Sequence, residues 1–304
     1  MAVAVVNWNT RELLRQCLRS VLAGPATEVV VVDNGSSDGS AEMVRREFPG
    51  VRLEVEPSNP GYGAGCNNGV RATAADFVLV LNSDTIVPPD ALAALSAVLD
   101  AEPRAAIVGP RLLNPDGTPQ RSVYPFPGPV ARLLLHQPFA TLVETLPPLR
   151  RRYVGRWWGG RTRVVPWVLG AALAIRRTAF EEVGGFDESY EMYFEEVDLC
   201  YRLGRRGWRT LFAPVTTIVH LGGASTAQRR SDMRARYELS LIRFHRRHDR
   251  GLTRAAGVGL VRGQAALRYL RDTVRRRLST DAGRRAALAD DLTAWRSVLD
   301  PTRR

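Results

Sequence analysis

The stretch that decides the fold is "EVVVVDNGSSDGS", residues 28–40. Four consecutive valines predict a strand that is buried on both faces, because a half-exposed strand would alternate apolar and polar residues. The Asn-Gly-Ser-Ser that follows is typical of a turn, and Ser and Asp commonly begin helices. The stretch therefore predicts a strand, a tight turn and the start of a helix in succession.

The same alternation extends through the first half of the chain. Further strand-like runs are "VAVVNW" (3–8), "VRLEVE" (51–56) and "DFVLVLN" (76–82). Apolar residues recur at helical spacing in "TRELLRQCLRSVLAG" (10–24) and "PPDALAALSAVLDAE" (88–102). Strands that alternate with helices of this length imply an α/β fold with a mostly parallel central sheet, covered by helices on both faces.

Three of the predicted strands end in polar residues. Ligands bind at the carboxyl ends of parallel strands, so these residues are candidates for one site. Turn chemistry explains any one cluster equally well, since Asn, Asp, Gly and Ser favour turns; three clusters together favour a site. The clusters are Asn7-Trp8-Asn9, Asp33-Asn34-Gly35-Ser36 and Asn82-Ser83-Asp84.

The composition excludes a disordered chain and indicates the chemistry of the partners. Of 304 residues, 45% are hydrophobic and 24% are charged, as in ordinary folded proteins. All 43 basic residues are arginines, and the net charge is +12. Such a surface attracts phosphates, nucleic acid or anionic lipid. No nucleic-acid-binding motif is present in the sequence, so nucleic acid is the least favoured of these partners.

The cysteines and the hydropathy pattern predict a cytoplasmic protein. Cys17, Cys66 and Cys200 lie far apart, which favours free thiols over a disulfide framework or a zinc site. The first residues lack the pattern of a signal peptide, and no run approaches the ~18 apolar residues of a membrane span. A peripheral position at the inner face of the cell membrane stays open.

The order of the motifs resembles glycosyltransferase family 2, whose members are inverting nucleotide-sugar enzymes with the GT-A fold. The likeness is strongest to its rhamnosyltransferase-like branch and runs from residue 2 to about 230. It implies a GT-A catalytic domain over 1–225, followed by a helical, basic C-terminal extension over 226–304. The motifs are "VVNWNT", "VVVVDNGSSDGS", "NPGYGAGCNNG", "LNSDT", "GAALAIRR", "GGFDESYEMYFEEVDLCYR" and "HLGGAS".

The resemblance implies that the polar strand ends bind the nucleotide. Trp8 would stack on the base and Asp33 would accept one of its N–H groups. The alternatives are that Trp8 packs in the core and that Asp33 caps the following helix. Cys66 stands where many relatives have Arg, so no phosphate contact is carried over to it. The implied nucleotide-binding residues are Asn7, Trp8, Asn9, Asp33, Asn34, Gly63, Asn67, Asn82, Ser83 and Asp84.

A divalent metal, Mg²⁺ or Mn²⁺, is the implied cofactor. In "LNSDT" Asn82 replaces the first acid of the family's Asp-X-Asp motif, and Asp84 remains. His220 of "HLGGAS" is implied as a second ligand, with a core histidine as the alternative. By contrast, His245 and His248 lie in an Arg-rich context that is typical of a surface.

Three acids are crowded into "MYFEEVDLCYR", residues 192–202. The resemblance implies that Glu196 is the general base that takes the proton of the acceptor hydroxyl, and Glu195 stays open as an alternative. Asp198 and Arg202 are one helical turn apart, which predicts a structural ion pair. The competing interpretation is a solvated acidic face that balances nearby arginines.

Two further residues are candidates for binding the acceptor. Gly170 begins "GAALAIRR", where a glycine would let the backbone approach the acceptor. Asp187, in a Phe-Asp-Glu turn, could bond acceptor hydroxyls, and an Asx turn explains it equally well.

Two basic segments raise the question of a membrane surface. In "LRRRYVGRWWGG" (149–160) arginines stand beside Tyr and Trp, which suits an anionic membrane interface. In the tail, "LVRGQAALRYLRDTVRRRL" (260–278) places apolar residues near helical spacing with arginines on other faces. A basic helix packed on the domain by its apolar stripe is the alternative.

The implied function is the transfer of a sugar from a nucleotide sugar to a glycan or polyprenyl-diphosphate-linked acceptor in cell-envelope glycan synthesis. The expected donor is dTDP-rhamnose. Alternatives are a galactofuranosyl, hexosyl or N-acetylhexosaminyl transferase, a nucleotidyltransferase and a non-catalytic sugar-nucleotide-binding protein. The nucleotidyltransferase is disfavoured because "NWNTREL" is a poor phosphate loop.

Overall fold

A computed structural model describes residues 1–26, 28–134, 145–146, 160–222 and 230–302 of the chain. The order of its elements is that of an α/β protein followed by long helices. The strands are β1 (Ala2–Asn7), β2 (Val29–Asp33), β3 (Arg52–Val55), β4 (Phe77–Asn82), β5 (Thr85–Ile86), β6 (Ala105–Leu113), β7 (Pro119–Gln120), β8 (Val123–Tyr124), β9 (Arg163–Val165), β10 (Trp167–Val168), β11 (Ala172–Arg176) and β12 (Arg209–His220).

The helices fall into a shorter set that alternates with the strands and a longer set near the C-terminus. The longer set confirms the predicted C-terminal helices over the described residues 230–302. The helices are α1 (Arg11–Leu22), α2 (Ser40–Glu47), α3 (Tyr62–Arg71), α4 (Ala91–Ala101), α5 (Pro129–Leu134), α6 (Arg177–Glu182), α7 (Glu195–Arg205), α8 (Arg230–His248), α9 (Gly251–Leu278) and α10 (Ala282–Leu299).

The central sheet is mixed and mostly parallel, as the sequence predicts. Its strands lie in the order β3-β2-β1-β4-β11-β6-β12-β5, with β7 paired to β6 and β9 to β12. Strands β3, β2, β1, β4, β6 and β12 share one direction. Strand β11 runs against its neighbours β4 and β6, so its first residues meet the carboxyl end of β4.

The buried valines supply two cores, one on each face of the sheet. Because side chains alternate along a strand, Val3 and Val5 join one core while Ala4 and Val6 join the other. The first core also includes residues of α1, α2 and α4, and the second includes residues of α3 and α7. The prediction of a sheet covered by helices on both faces is therefore confirmed.

The glycine-rich segment around Tyr62 forms the helix α3. A Cβ on Gly65 would lie 2.8 Å from Cγ1 of Val6, and one on Gly69 would lie 2.8 Å from Cβ of Ala4. These glycines therefore let α3 lie directly on β1. Their small size serves the packing of a helix on the sheet.

By their internal contacts the described residues form two compact units. The first holds 1–126, 160–191 and 195–222, and the second holds 127–134, 145–146, 192–194 and 230–302. The sequence division into 1–225 and 226–304 stays a prediction. The two units do not follow this division, because residues 127–134 and 192–194 belong to the same unit as α8 to α10. In the part of the chain that the structure describes, we find no helix both long and apolar enough to span a membrane.

His245 corrects an expectation from the sequence. It was expected at the surface because of the arginines around it, but its side chain is fully buried. Its Nδ1 lies 2.7 Å from Oδ2 of Asp249. A Cβ on Gly257 would lie 2.7 Å from the His245 ring, so α8 and α9 meet closely at this point.

Candidate active site

Hydrogen bonds join the polar ends of three neighbouring strands. Nδ2 of Asn7 donates to Oδ2 of Asp33 at 2.8 Å. Oγ1 of Thr10 donates to Oδ1 of Asn7 at 2.7 Å and lies 2.6 Å from Oγ of Ser83. The ends of β2, β1 and β4 therefore form one continuous polar edge, as expected for the carboxyl ends of parallel strands.

Asp33 is fully buried and both of its carboxylate oxygens have partners in the protein. Besides Asn7, the backbone N–H of Ser36 donates to Oδ1 of Asp33 at 2.8 Å. Asp33 thus fixes the turn after β2, whereas the N-cap of α2 is Gly39, so the alternative that Asp33 caps this helix is wrong. A nucleotide contact by Asp33 stays a prediction.

The loop after β1 is held in an unusual conformation beside this edge. Asn9 has a left-handed backbone with φ of 53°, and its Oδ1 accepts a hydrogen bond from the N–H of Ser37 at 2.8 Å. Trp8 is half-buried. Nearby, Nδ2 of Asn34 donates to the carbonyl of Gly61 while its buried Oδ1 has no partner among the described residues.

Asn67 and Gly63 have local roles in packing, and their nucleotide-binding roles stay predictions. Nδ2 of Asn67 donates to the Phe186 carbonyl and to Oε1 of Glu188, and its Oδ1 accepts from the Phe186 N–H. The amide is thus occupied in joining α3 to the loop before α7. A Cβ on Gly63 would lie 3.3 Å from Cβ of Phe186 and 3.5 Å from Cβ of Glu195, so this glycine allows a close helix contact.

Asp84 and His220 lie side by side at the ends of β4 and β12. Nε2 of His220 is 3.3 Å from Oδ1 of Asp84 and 3.4 Å from Nδ2 of Asn82. Two ligands at right angles around a divalent ion, each about 2.1 Å from it, are about 3 Å apart. The spacing and chemistry of this oxygen and nitrogen pair therefore fit a shared cation. The described residues contain no cluster of three or more His, Cys, Asp or Glu that could hold a metal.

Gln120 orients the His220 ring, and the sequence analysis missed it. Oε1 of Gln120 lies 2.7 Å from Nδ1 of His220, and its Nε2 lies 3.4 Å from the His220 carbonyl oxygen. A hydrogen bond from Nδ1–H to Gln120 leaves the lone pair on Nε2 facing Asp84, which is the tautomer that a metal needs. Gln120 comes from the short strand β7, 100 residues before its partner.

The acid pair at the start of α7 is buried. Glu195 and Glu196 are only 5% and 9% exposed. The competing interpretation of a solvated acidic face is therefore wrong. Oε1 of Glu196 accepts a hydrogen bond from the Gly170 N–H at 3.4 Å. Oε2 of each glutamate is buried without a hydrogen-bond partner among the described residues.

Burial changes the proton affinity of both glutamates. It raises the pKa of Glu195 well above its usual range, and the neighbouring Glu196 charge raises that pKa further. Burial also raises the pKa of Glu196, although backbone N–H groups, including that of Gly170, oppose the rise. A buried acid with a raised pKa is better matched to proton transfer near neutral pH than an ordinary glutamate.

The third acid of the group behaves differently. Asp198 is fully buried, and Nε of Arg202 donates to its Oδ2 at 2.6 Å. The same guanidinium donates to the carbonyls of Val183 and Gly185. The predicted ion pair is confirmed, and it fastens the turn that precedes the acid pair.

A chain of short contacts links the acid pair to the Asp84–His220 pair. Glu196 bonds the Gly170 N–H, and the carbonyl of the next residue, Ala171, accepts from the Asn82 N–H at 3.0 Å. The Asn82 side chain in turn touches Nε2 of His220. Because β4 and β11 pair here, the glutamate pair and the Asp84–His220 pair lie at the same end of the sheet.

A cavity of about 390 Å³ lies beside these residues. Gln120 and Ser122 line it, and the Ser122 carbonyl accepts from the Leu169 N–H, next to Gly170. Arg111 also lines it and is half-buried, and its guanidinium has no hydrogen bond or ion pair to any described residue. An unpaired guanidinium at a cavity wall is suited to an anionic group of a ligand.

The two predicted acceptor residues have different local roles. The Gly170 carbonyl accepts from the Tyr62 hydroxyl at 2.5 Å, and its N–H serves Glu196, so Gly170 holds the acid in place. Oδ1 of Asp187 accepts from the Ser189 N–H at 3.0 Å, which is the Asx turn that the sequence allowed. Cys66, like Cys17 and Cys200, is a buried free thiol, as predicted.

Some of the motifs fall outside the described residues. The end of "HLGGAS", residues 223–225, is one, and most of the basic aromatic segment "LRRRYVGRWWGG" is another.

Comparison with known proteins identifies the family. A model of the family described as "Glycosyltransferase like family 2" matches residues 1–238. An N-acetylglucosaminyl-diphospho-decaprenol L-rhamnosyltransferase of Mycobacterium tuberculosis is 34% identical over 277 residues, which cover 84% of this chain and 89% of that protein. The rhamnosyltransferase WbbL of Escherichia coli is 22% identical over 227 residues, covering 72% and 82%.

The solved structures support the fold. A mannosyltransferase from Pyrobaculum calidifontis in complex with GDP-Man and Mn²⁺ has a TM-score of 0.56 and 17% sequence identity, covering 98% of this chain and 85% of that one. The predicted GT-A fold is thereby confirmed. The chain belongs to glycosyltransferase-like family 2, and its likeness to two rhamnosyltransferases agrees with the predicted rhamnosyltransferase-like branch.

Proposed function

We propose that this protein is a metal-dependent inverting glycosyltransferase that moves L-rhamnose from dTDP-rhamnose onto a lipid-linked acceptor. The observation that carries the proposal is the meeting of two unlike sites at one end of the sheet. On one side, Asp84 and His220 present a facing oxygen and nitrogen, 3.3 Å apart. On the other, Glu196 holds a buried carboxylate oxygen without a partner among the described residues.

Asp84 and His220 are the residues that would hold Mg²⁺ or Mn²⁺. The ion would supply positive charge that stabilises the leaving diphosphate. With Nδ1–H of His220 donating to Gln120, Nε2 would present its lone pair to the ion. The Thr10–Ser83 contact holds the loop that carries Asp84. These residues therefore form the donor side of the proposed site.

Glu196 is the proposed general base. In a single displacement the acceptor oxygen bonds to the anomeric carbon, the bond from that carbon to the diphosphate breaks, and the hydroxyl proton passes to Oε2 of Glu196. The Gly170 N–H holds Oε1 and so directs Oε2 towards the acceptor. An incoming hydroxyl would provide the hydrogen-bond partner that this oxygen lacks. Inversion follows because attack and departure take place on opposite faces of the sugar.

The nucleotide would lie along the polar edge at the ends of β1 and β2. Trp8 is a half-buried aromatic residue suited to stacking, and Asn34 offers an oxygen without a partner among the described residues. To bind the base, Asp33 would give up one of its two hydrogen bonds within the protein and accept a hydrogen bond from the base in its place. Asn67 is left out of this set because its amide is occupied within the protein.

The sugar and the acceptor are proposed from the relatives. One is named an N-acetylglucosaminyl-diphospho-decaprenol L-rhamnosyltransferase, and another a rhamnosyltransferase. A polyprenyl-diphosphate acceptor carries a sugar and two phosphates, which suits the cavity that Arg111 lines. We therefore assign this cavity to the acceptor, with the enzyme acting peripherally at the inner face of the membrane in cell-envelope glycan synthesis.

One assay tests the proposal. The purified protein is incubated with a panel of nucleotide sugars and a short-chain polyprenyl-diphosphate N-acetylglucosamine acceptor, with Mn²⁺, Mg²⁺ or a chelator. Release of dTDP from dTDP-rhamnose alone, lost on chelation, supports it. Release of another nucleoside diphosphate would identify a different donor. Release of pyrophosphate would indicate a nucleotidyltransferase. Equal turnover in the presence of a chelator would contradict the role of the metal.

A further inference from the structure

The long helix α9 has two different faces. Gly257, Val261, Ala265 and Asp272 are buried, one or two turns apart, and they face the rest of the second unit. On the other side, the large apolar residues are strongly exposed: Leu252 by 89%, Leu267 by 68%, Leu270 by 61%, Val274 by 55% and Leu278 by 78%. We call this exposed set the α9 stripe. The sequence alone left open which face of the tail is packed.

The α9 stripe is continuous along the helix. Between Leu252 and Leu278 the exposed positions Ala256, Gly259 and Gly263 continue the same spacing of three or four residues. At 100° per residue this spacing keeps all of them on one side of the helix. The stripe spans about 39 Å at 1.5 Å per residue, and its most apolar part is the last three turns.

Arginines flank this apolar part. Relative to Leu267, Arg271 and Arg275 lie about 40° and 80° to one side, and Arg277 lies about 80° to the other. Arg271 is neutralised by Asp272, to which its Nε donates at 2.8 Å. Arg275 and Arg277 are exposed, and neither has an ion pair with any described residue.

The charges decide between the surfaces that could cover the stripe. Asp272, the single acid in the α9 sequence, is 2% exposed and already paired, so the exposed face carries only positive charge. Two copies meeting through this face would bring arginines together without acids to balance them. A surface with an apolar interior and anionic headgroups complements both the leucines and the arginines.

We propose that the α9 stripe is a docking surface for an anionic phospholipid membrane. The apolar residues of the stripe enter the boundary between headgroups and acyl chains, and Arg275 and Arg277 bind the phosphates beside them. The choice of lipid over an acidic protein rests on the proposed function, because a polyprenyl-linked acceptor resides in a membrane. The geometry of the stripe is independent of it.

The test is flotation of the purified full-length chain with vesicles. Vesicles of phosphatidylcholine with 30% phosphatidylglycerol are compared with vesicles of phosphatidylcholine alone. We expect binding to the anionic vesicles that weakens as salt is raised. The double variant L267E/L270E should bind at least about 100-fold more weakly, and R275Q/R277Q about 30-fold more weakly, since each arginine near the surface contributes about a factor of five.

A matched control uses exposed valines of the first unit. Val55 and Val164 are 47% and 59% exposed, so V55E/V164E likewise replaces two exposed apolar side chains with glutamate but leaves the stripe intact, and it should leave vesicle binding unchanged. Thermal unfolding shows that each variant is folded. Sugar transfer to a short-chain acceptor in detergent, measured in parallel, separates failure of the docking surface from failure of the proposed function.

Three outcomes overturn the proposal. One is the absence of binding to anionic vesicles at low salt, and another is equal binding by L267E/L270E. The third is a dimer in sedimentation velocity that L267E/L270E makes monomeric while the wild type ignores vesicles, because the stripe would then be covered by a second copy.

Discussion

Two buried polar regions lie at one end of the sheet, and they differ in whether their polar side chains have hydrogen-bond partners within the protein. Along the ends of β1, β2 and β4, Asn7, Asp33 and Thr10 all bond one another or their neighbours. At the start of α7, Glu195 and Glu196 each keep a buried oxygen without a partner among the described residues. In the first region these three side chains are satisfied within the protein, although the buried Oδ1 of Asn34 beside them has no partner among the described residues. In the second region both acids keep an unsatisfied oxygen, so the acid pair depends more strongly on a ligand.

Asp198 makes the same contrast within α7. It lies within four positions of both glutamates and is equally buried, but Arg202 satisfies its carboxylate. Buried polar groups in folded proteins almost always have a partner, so the exceptions mark places where a ligand or a proton is expected. The contrast therefore separates acids that hold the fold from acids that could act in chemistry.

The largest expected effect comes from Glu196→Gln. Removing the proposed base should lower turnover by about 10²- to 10⁴-fold, since an amide of the same shape cannot accept the proton. The measurement is nucleoside-diphosphate release, with binding of the donor followed by calorimetry. Donor affinity should stay within about twofold, because the change lies on the acceptor side.

Glu195→Gln is the matched control for that experiment. Glu195 packs towards α3, while Glu196 bonds Gly170 beside the end of β4. We expect the smaller loss of turnover from Glu195→Gln. A larger loss in this variant than in Glu196→Gln would exchange their assigned roles.

Asp198→Asn should lower stability rather than directly impair chemistry. It leaves the Arg202 guanidinium, which also binds two backbone carbonyls, without its carboxylate. Breaking such a buried pair should cost about 3 kcal/mol of unfolding free energy, which urea denaturation measures. A loss below 1 kcal/mol would remove the distinction drawn between Asp198 and the glutamates.

Gln120→Leu should weaken metal binding by about 10- to 100-fold, because nothing then fixes the tautomer of His220. Mn²⁺ binding measured by electron paramagnetic resonance gives the affinity, and ¹⁵N chemical shifts of the His220 ring report its tautomer. Gln120→Glu, which keeps an acceptor for Nδ1–H, should retain most of the affinity. Unchanged affinity and ring shifts in Gln120→Leu would contradict the orienting role.

The pH dependence of stability gives the smallest effect. Burial raises the pKa of Glu195 and Glu196 in the folded state, so between the ordinary value of about 4.3 and the raised value the folded protein binds more protons than the unfolded chain. Stability should therefore fall as pH rises through this window, by up to about 1.4 kcal/mol per pH unit for each group. Urea denaturation at a series of pH values should show that the free energy of unfolding falls less steeply with pH in the double variant E195Q/E196Q than in the wild type. An equal slope would contradict the pKa assignment.

Much of the fold could be predicted because local patterns determine it. The valines of β1, β2 and β4 predicted buried parallel strands, and all three form. Strand β6 was not predicted, because Gly109 and Pro110 interrupt its apolar run. Glycine is required there, since a Cβ on Gly109 would lie 2.8 Å from Val168, a contact that only the folded chain contains.

The candidate site was predicted less completely, for a similar reason. Asp84, His220 and Glu196 could be named because motifs mark them. Gln120 could not, because it meets His220 across 100 residues of sequence and its own surroundings carry no motif. Nor could the sequence show that the amide of Asn67 is engaged by the backbone of Phe186, 119 residues away. Long-range contacts decide which polar residues are free to bind a ligand.

The central claim is that Asp84 and Glu196 serve opposite sides of one reacting carbon. A crystal structure with Mn²⁺ and a non-transferable dTDP-rhamnose analogue tests it most directly. We expect the ion on Oδ1 of Asp84 and Nε2 of His220, with the Glu196 carboxylate on the face of the anomeric carbon away from the diphosphate. An ion bound elsewhere, or a Glu196 carboxylate remote from that carbon, would contradict it.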